Sequence, residues 1–367
     1  MAIIASIHHL THYKYDRPVT LAPQIIRLRP APHGRTRVIS HSLKVGPEPH
    51  FVNHQQDPYG NWLARFVFPE PVTEFKIEVD LTADMSVYNP FDFFVEDSAE
   101  HWPFDYPLDF DEDLSIYLKP IHTGHHFDAF METIPRDKQQ IVDKLVLLNQ
   151  MVSNKVDYTI RLEPGVQTPD ETLEIGSGSC RDSSWLLVQV LRHMGIAARF
   201  VSGYLIQLKP DLEALDGPSG TDHDFTDLHA WVEAYVPGAG WIGLDPTSGL
   251  LAGESHIPLA ATPHYRNAAP ISGITATGSC PRSRLFEVAV TALIIWSALS
   301  IPVRVGFCPT LSKLTSESGT SSAAAIRKLA DEKSAGISSS AARSRDPPPT
   351  VAGDGSVTPN SGNIRSV

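Results

Sequence analysis

Short alternating stretches run from Ile3 to about Met85, as in Phe75-Lys76-Ile77-Glu78-Val79-Asp80-Leu81, with apolar positions recurring every second residue between turn residues. That period places successive side chains on opposite faces of a strand and predicts a β-sandwich-like first domain. Asp57-Pro58-Tyr59-Gly60-Asn61 reads as a turn between two of its strands, because Pro presets φ while Gly and Asn tolerate positive φ. Residues 89–120 mix aromatics, prolines and acids without a steady period and read as chain draped over both domains. The expected divisions are a β-rich region over 1–120 and a connector over 121–135.

From Arg136 the apolar spacing changes to that of a helix, through Ile141, Leu145, Leu148 and Val152. A second helix is expected from Arg181 to Met194, with Trp185, Leu186, Val188, Val190 and Leu191 facing a core and Gly195 as its stop. Strands are expected at Ala198–Ile206, His229–Val236 and Trp241–Asp245. A helix packed on an antiparallel sheet makes the fold class α+β, with this second domain over 136–273.

Beyond Gly273 the pattern dissolves. Residues 311–367 are rich in Ser, Ala, Gly, Thr and Pro, too little apolar area to offset chain entropy, so 274–367 is expected to be a disordered tail. Its bias is what a coding region read out of frame gives. The uncharged stretch Val288–Val303 is shorter than the roughly 18–20 residues that span a bilayer, so no membrane anchor is expected.

Composition narrows the function. A formal charge of −12 repels phosphate backbones, so nucleic acid is excluded as a partner. Three cysteines, Cys180, Cys280 and Cys308, are an odd number in 367 residues and argue against a disulfide framework. With no basic n-region leading a long apolar run at Met1–His9, the expected location is cytoplasmic.

Chemistry concentrates in three segments. Gly176-Ser177-Gly178-Ser179-Cys180-Arg181-Asp182 places a cysteine where a small-residue turn opens a helix, and the unpaired N–H groups there favour a thiolate. His229-Ala230-Trp231-Val232-Glu233 puts His229, Trp231 and Glu233 on one strand face, and Trp241-Ile242-Gly243-Leu244-Asp245 puts Asp245 on a following strand. If Glu233 pairs with Trp241, His229 falls opposite Asp245; a tighter loop sets Asp245 opposite Glu233 instead. The wider loop is expected, because Pro237 lacks a ladder N–H.

In this order the three segments resemble the core of the transglutaminase-like cysteine hydrolases, which share a Cys-His-Asp arrangement with papain-type proteases. Residues 1–120 look like the β-rich region that precedes this core in bacterial members. The resemblance implies a papain/transglutaminase-like core with catalytic Cys180, His229 and Asp245. It implies a thiol-dependent protease or amidase working through a thioester on a peptide or protein substrate. Acyl transfer to an amine and an inactive binding scaffold are the alternatives.

The remaining polar residues receive plainer readings. Asp182 and Arg181 read as structural, Trp231 and Trp241 as core, and Gln167 or Gln189 as a second oxyanion donor beside the Cys180 N–H. His122, His125 and His126 match no metal-ligand spacing and read as a solvated loop, and His8, His9 and His12 as strand or surface residues. No metal and no cofactor are expected. A carboxylate pair of Asp182 and Asp245 cutting glycosidic bonds is a third reading.

Overall fold

The computed structural model describes residues 2–121, 123–161, 163–207, 225–275 and 283–297. Alternating segments form two four-stranded sheets in the N-terminal region. One runs in the order Ser283–Ser297, Ala2–Val19, Val72–Asp84, Arg37–Gly46; the other is Ile271–Ser272, Gln24–Ile26, Trp62–Val67, Phe51–Gln56. Ile7, Ile77 and Val79 of the first sheet and Ile26 and Phe66 of the second share one apolar cluster, as the period-two pattern requires. The turn over Asp57–Asn61 joins two strands as expected, with Gly60 at φ 84°.

The second region centres on a five-stranded sheet in the order Leu250–Leu251, Gly240–Asp245, Phe225–Val236, Ala198–Gln207, His256–Thr262. Helix Cys180–His193 lies on one face, where its Leu186, Val190 and Leu191 join Ala230, Val232, Ala234 and Leu244 in a second cluster. Gly195 follows its C-terminus at φ 75°, where a Cβ would be strained. The other face of the sheet meets the N-terminal region: Tyr204, Ile206, Ile257 and Leu259 complete the first cluster. The α+β class, the β-rich N-terminus and the helix-on-sheet core are therefore as the sequence pattern indicates.

Three details differ from the expectations. The helix expected from Arg136 runs Ile141–Lys155, after Gln139–Gln140 pairs with His101–Trp102. Ala99, Trp102, Phe127 and Phe130 enter the core of the second region, so much of 89–135 packs as core instead of bridging two domains. Its aromatics are spent one at a time on separate contacts, which leaves no period to read. Residues Ser283–Ser297 form a strand paired along Ala2–Tyr15, inside the stretch taken as tail. Among the described residues no helix is long and apolar enough to cross a membrane. Residues 298–367, including most of the low-complexity stretch and Cys308, lie outside the described residues, as do Cys280 and His122.

The two regions are tied by polar contacts that no strand pattern announces. Asn61 is fully buried; its amide accepts from Ala261 N at 2.9 Å and donates to Ala261 O at 3.0 Å. His9, read as a strand or surface residue, is a buried strand residue bonded to Tyr204 Oη at 2.7 Å and Thr11 Oγ1 at 2.8 Å. Burial, helped by neighbouring His8, pushes its imidazole down to about 4.

Candidate active site

Cys180 occupies the first position of helix Cys180–His193, partly exposed, with Ser179 as N-cap. The Ser179 hydroxyl and Asp182 carboxylate form a capping box that fixes the turn presenting the thiol. Asp182 is fully buried and accepts from Arg161 Nε and Nη2 at 2.9 Å, Gln167 N at 2.8 Å, Ser179 N at 2.8 Å and Ser179 Oγ at 2.7 Å. Burial opposes its charge, but these donors outweigh burial and hold its carboxyl below the usual range. Fully engaged and held ionised, Asp182 is a structural anion, unsuited to the acid role in glycoside cleavage. Its cation is Arg161; Arg181 instead donates to Arg161 O and Glu163 O.

His229 lies on strand Phe225–Val236 beyond its ladder with Gly240–Asp245, which runs from Val236↔Gly240 to Val232↔Leu244. The expected wide register and its tighter alternative are each off by two residues, and the observed pairing lies midway between them. Tyr235, not Glu233, faces Trp241, and the loop is just Pro237-Gly238-Ala239. Pro237 stays outside the pairing, which excludes the narrow loop as expected, but the observed loop meets that condition as well as the wide one does. Extended one pair further, this register sets Asp245 opposite Trp231, two residues from His229 on the same face. That diagonal is within reach: His229 Nε2 donates to Asp245 Oδ2 at 3.1 Å.

The Cys180 thiol lies close enough to the same imidazole to act on its charge. Burial disfavours the imidazolium, yet the bonds and charges of Asp245 and Cys180 outweigh it and push His229 up to about 10. Asp245 is 2% exposed; burial again opposes its charge, but His229 and His256 drive its carboxyl far below the ordinary range. Its Oδ1 accepts from Thr247 N at 2.9 Å. The fold thus brings Cys180, His229 and Asp245 together from a helix N-terminus and two neighbouring strands.

Trp231 is 1% exposed and stacks beside His229 with centroids 6.4 Å apart and planes 23° from parallel. Gly203 makes room for it: a Cβ there would meet Trp231 Cη2 at 2.4 Å and Ile257 O at 2.2 Å. Gly203→Ala is therefore expected to cost about 1–3 kcal/mol by overpacking and to slow alkylation of Cys180, measured by urea denaturation and thiol labelling. Trp241 is partly exposed and carries the Arg199 guanidinium 4.1 Å over its ring. Arg199 in turn pairs with Glu233 through Nε at 2.7 Å, both side chains being nearly buried. Burial opposes the Glu233 charge, but Arg199 and His33 prevail and hold it at about 2.

Of the two glutamines, Gln189 lies nine residues along the helix from Cys180, and its Oε1 accepts from Ile121 N at 3.0 Å. At about 1.5 Å rise per residue it is too far away to serve the thiol. Gln167 stays near the cap: its N–H is bound to Asp182 and its Oε1 to Thr172 Oγ1. Sequence reasoning passed over His256, whose Nε2 is 3.3 Å from Asp245 Oδ2, because one His in Gly253-Glu254-Ser255-His256 has no distinguishing spacing. It also passed over half-exposed Tyr158, raised by burial and by the nearby Cys180, Asp227 and Asp245 charges.

Two clusters among the described residues have the composition of metal ligands, His125/His126/Asp170 and His229/Asp245/His256. In the first, Asp170 accepts from Phe127 N at 3.0 Å and lies 3.4 Å from His126 Nδ1. In the second, the facing atoms are already hydrogen-bonded to one another. A cavity of about 270 Å³ adjoins the second cluster, lined by His33, Arg35, Arg199, Trp231, Glu233 and His256 among others.

Residues 128–246 match the transglutaminase-like superfamily, and residues 5–84 match the bacterial transglutaminase-like N-terminal region. Over these two segments the chain resembles the transglutaminase-like superfamily. An uncharacterized protein of Mycobacterium tuberculosis is 27% identical over 288 residues, covering 74% of this chain and 88% of its own. A protein-glutamine gamma-glutamyltransferase of Pseudomonas aeruginosa is 39% identical over 99 residues, 26% of this chain and 14% of its own. The solved structure of a proposed cysteine protease from Cytophaga hutchinsonii superposes with a TM-score of 0.60 at 18% identity. That match covers 82% of this chain and 93% of the other, and it bears on the fold.

Proposed function

We propose that the protein is a thiol-dependent hydrolase of amide bonds in a peptide or protein substrate, with Cys180 as nucleophile, His229 as its base and Asp245 as the group that orients and stabilises the imidazolium. The observation that carries the reading is the buried Asp245–His229 bond, with Cys180 at a helix N-terminus acting on the same ring's charge. In this mechanism His229 takes the thiol proton and the thiolate adds to the amide carbonyl, with the Cys180 N–H as oxyanion donor. Protonated His229 then gives its proton to the leaving amine as the C–N bond breaks, leaving a thioester. Water activated by His229 cleaves the thioester and frees the thiol. Attack by an amine in place of water would make the protein an acyltransferase, a second reading favoured by the local identity to the gamma-glutamyltransferase. A cytoplasmic setting, which keeps the thiol reduced, belongs to the same proposal.

The test is the pH dependence of alkylation at each cysteine, followed by peptide mass spectrometry in wild type and His229→Ala. Cys180 is expected to label fast well below the ordinary thiol pKa of about 8.5 and to lose that advantage in His229→Ala, with Cys280 and Cys308 as internal references. Labelling of Cys180 no faster than those two would remove the mechanism.

A further inference from the structure

We infer that His256 is a positioning residue for this centre, donating a second N–H to the Asp245 oxygen that holds His229; the inference rests on the thiol mechanism proposed above. Asp245 Oδ2 is 3.1 Å from His229 Nε2 and 3.3 Å from His256 Nε2. An ionised carboxylate offers acceptors only, so both ring nitrogens must carry hydrogen. On the far side of His256, Nδ1 lies 3.0 Å from Ser255 Oγ, and a hydroxyl donating there selects the neutral Nε2–H tautomer. The His256 side chain is 8% exposed, and its ring meets the Trp231 ring edge-on at 5.1 Å and 78°. Asp245 is thus clamped from three directions: Thr247 N on Oδ1 and the two imidazoles on Oδ2.

The clamp has two consequences. It fixes the carboxylate plane, and with it the ring that must accept the thiol proton. It also divides the charge of one oxygen between two donors, so that His229 receives less of it than it would alone. The other groups facing His256 come from the cavity it lines: Arg199 and Glu233 on adjoining strands, which neutralise one another, and His33, Arg35 and Tyr88 from the N-terminal region. Glu254 lies two residues before it in the chain.

The test uses the full chain and iodoacetate, whose anion reacts fastest with a thiolate beside an imidazolium. Wild type should give a bell-shaped rate profile at Cys180, the acid limb reporting thiolate formation and the alkaline limb loss of the His229 proton. His256→Phe keeps the ring volume but removes the donor, leaving the full Asp245 charge to His229. Its alkaline limb should move up by about half a unit to one unit and its maximum rate fall about tenfold. His256→Gln, which restores an N–H near the same place without a titrating ring, should return the limb to the wild-type position. Ser255→Ala should move it in the same direction as His256→Phe but less, and serves if the Phe variant does not fold. A wild-type bell with unchanged limbs in His256→Phe, or in Ser255→Ala where Phe fails to fold, overturns the role of His256 alone. Absence of the bell in wild type removes the thiol mechanism and this inference with it.

Discussion

Asp245→Asn should lower Cys180-dependent turnover about 10,000-fold while the protein stays folded. The reason is local hydrogen-bond arithmetic. Oδ1 must go on accepting from Thr247 N, which would turn the new amide NH₂ toward the position of Oδ2, where the N–H groups of His229 and His256 both point. Donors would face donors. His229 escapes by moving its proton from Nε2 to Nδ1, the nitrogen that has to take the proton of the thiol. The imidazolium also loses its anion, so the ring should fall from about 10 toward the ordinary value near 6.5. Single-turnover acylation with circular dichroism as a fold control reads the effect. A loss smaller than about tenfold would show that Asp245 is not the orienting group.

Arg199→Met should cost about 3–5 kcal/mol of stability, because it strands the Glu233 carboxylate in the cavity wall with His33 3.8 Å away. The pH dependence of the intact pair has a definite sign. Glu233 titrates at about 2 when folded, below its ordinary 4.5, so the folded state holds fewer protons than the unfolded one between these values. Its contribution is complete above pH 4.5 and disappears as pH falls toward 2, amounting to about 3 kcal/mol. Urea denaturation of wild type and Glu233→Gln at pH 7 and pH 3 should show that acid-dependent loss in wild type and its absence in the variant. Equal slopes would mean that the pair is hydrated.

How much of this was legible beforehand follows from the kind of signal each part leaves. Strand Val72–Asp84 writes its burial largely as a period of two, and the helix over Cys180–His193 is announced by an apolar run between a small-residue turn and Gly195; both were read correctly. Cys180, His229 and Asp245 sit in segments whose order resembles a known core, so they could be named without geometry. The register that joins His229 to Asp245 could not, because strand pairing has no local sequence code beyond the turn, and Pro237 is satisfied by several loops. His256, Arg161 and Arg199 were invisible for a related reason. Arg199 acts on Glu233 and Arg161 on Asp182, each more than twenty residues away along the chain, and single polar residues such as His256 carry no period. Residues 89–121 failed differently, because aromatic contacts such as Tyr106 Oη to Tyr235 O at 2.8 Å fill gaps one by one.

The pairing of Ala2–Tyr15 with Ser283–Ser297 also governs how the molecule is made. A chain growing on the ribosome releases its first strand at once, but the partner on that strand's outer flank emerges almost 300 residues later. During that interval the strand can pair only with Val72–Asp84, and its other flank presents free N–H and C=O groups to any extended chain nearby. Synthesis therefore passes through a stage in which the five-stranded sheet can be complete while the N-terminal sheet still has an unprotected edge. Holding chaperones that cover such an edge until residue 297 is free would raise the yield of native protein without touching its final stability.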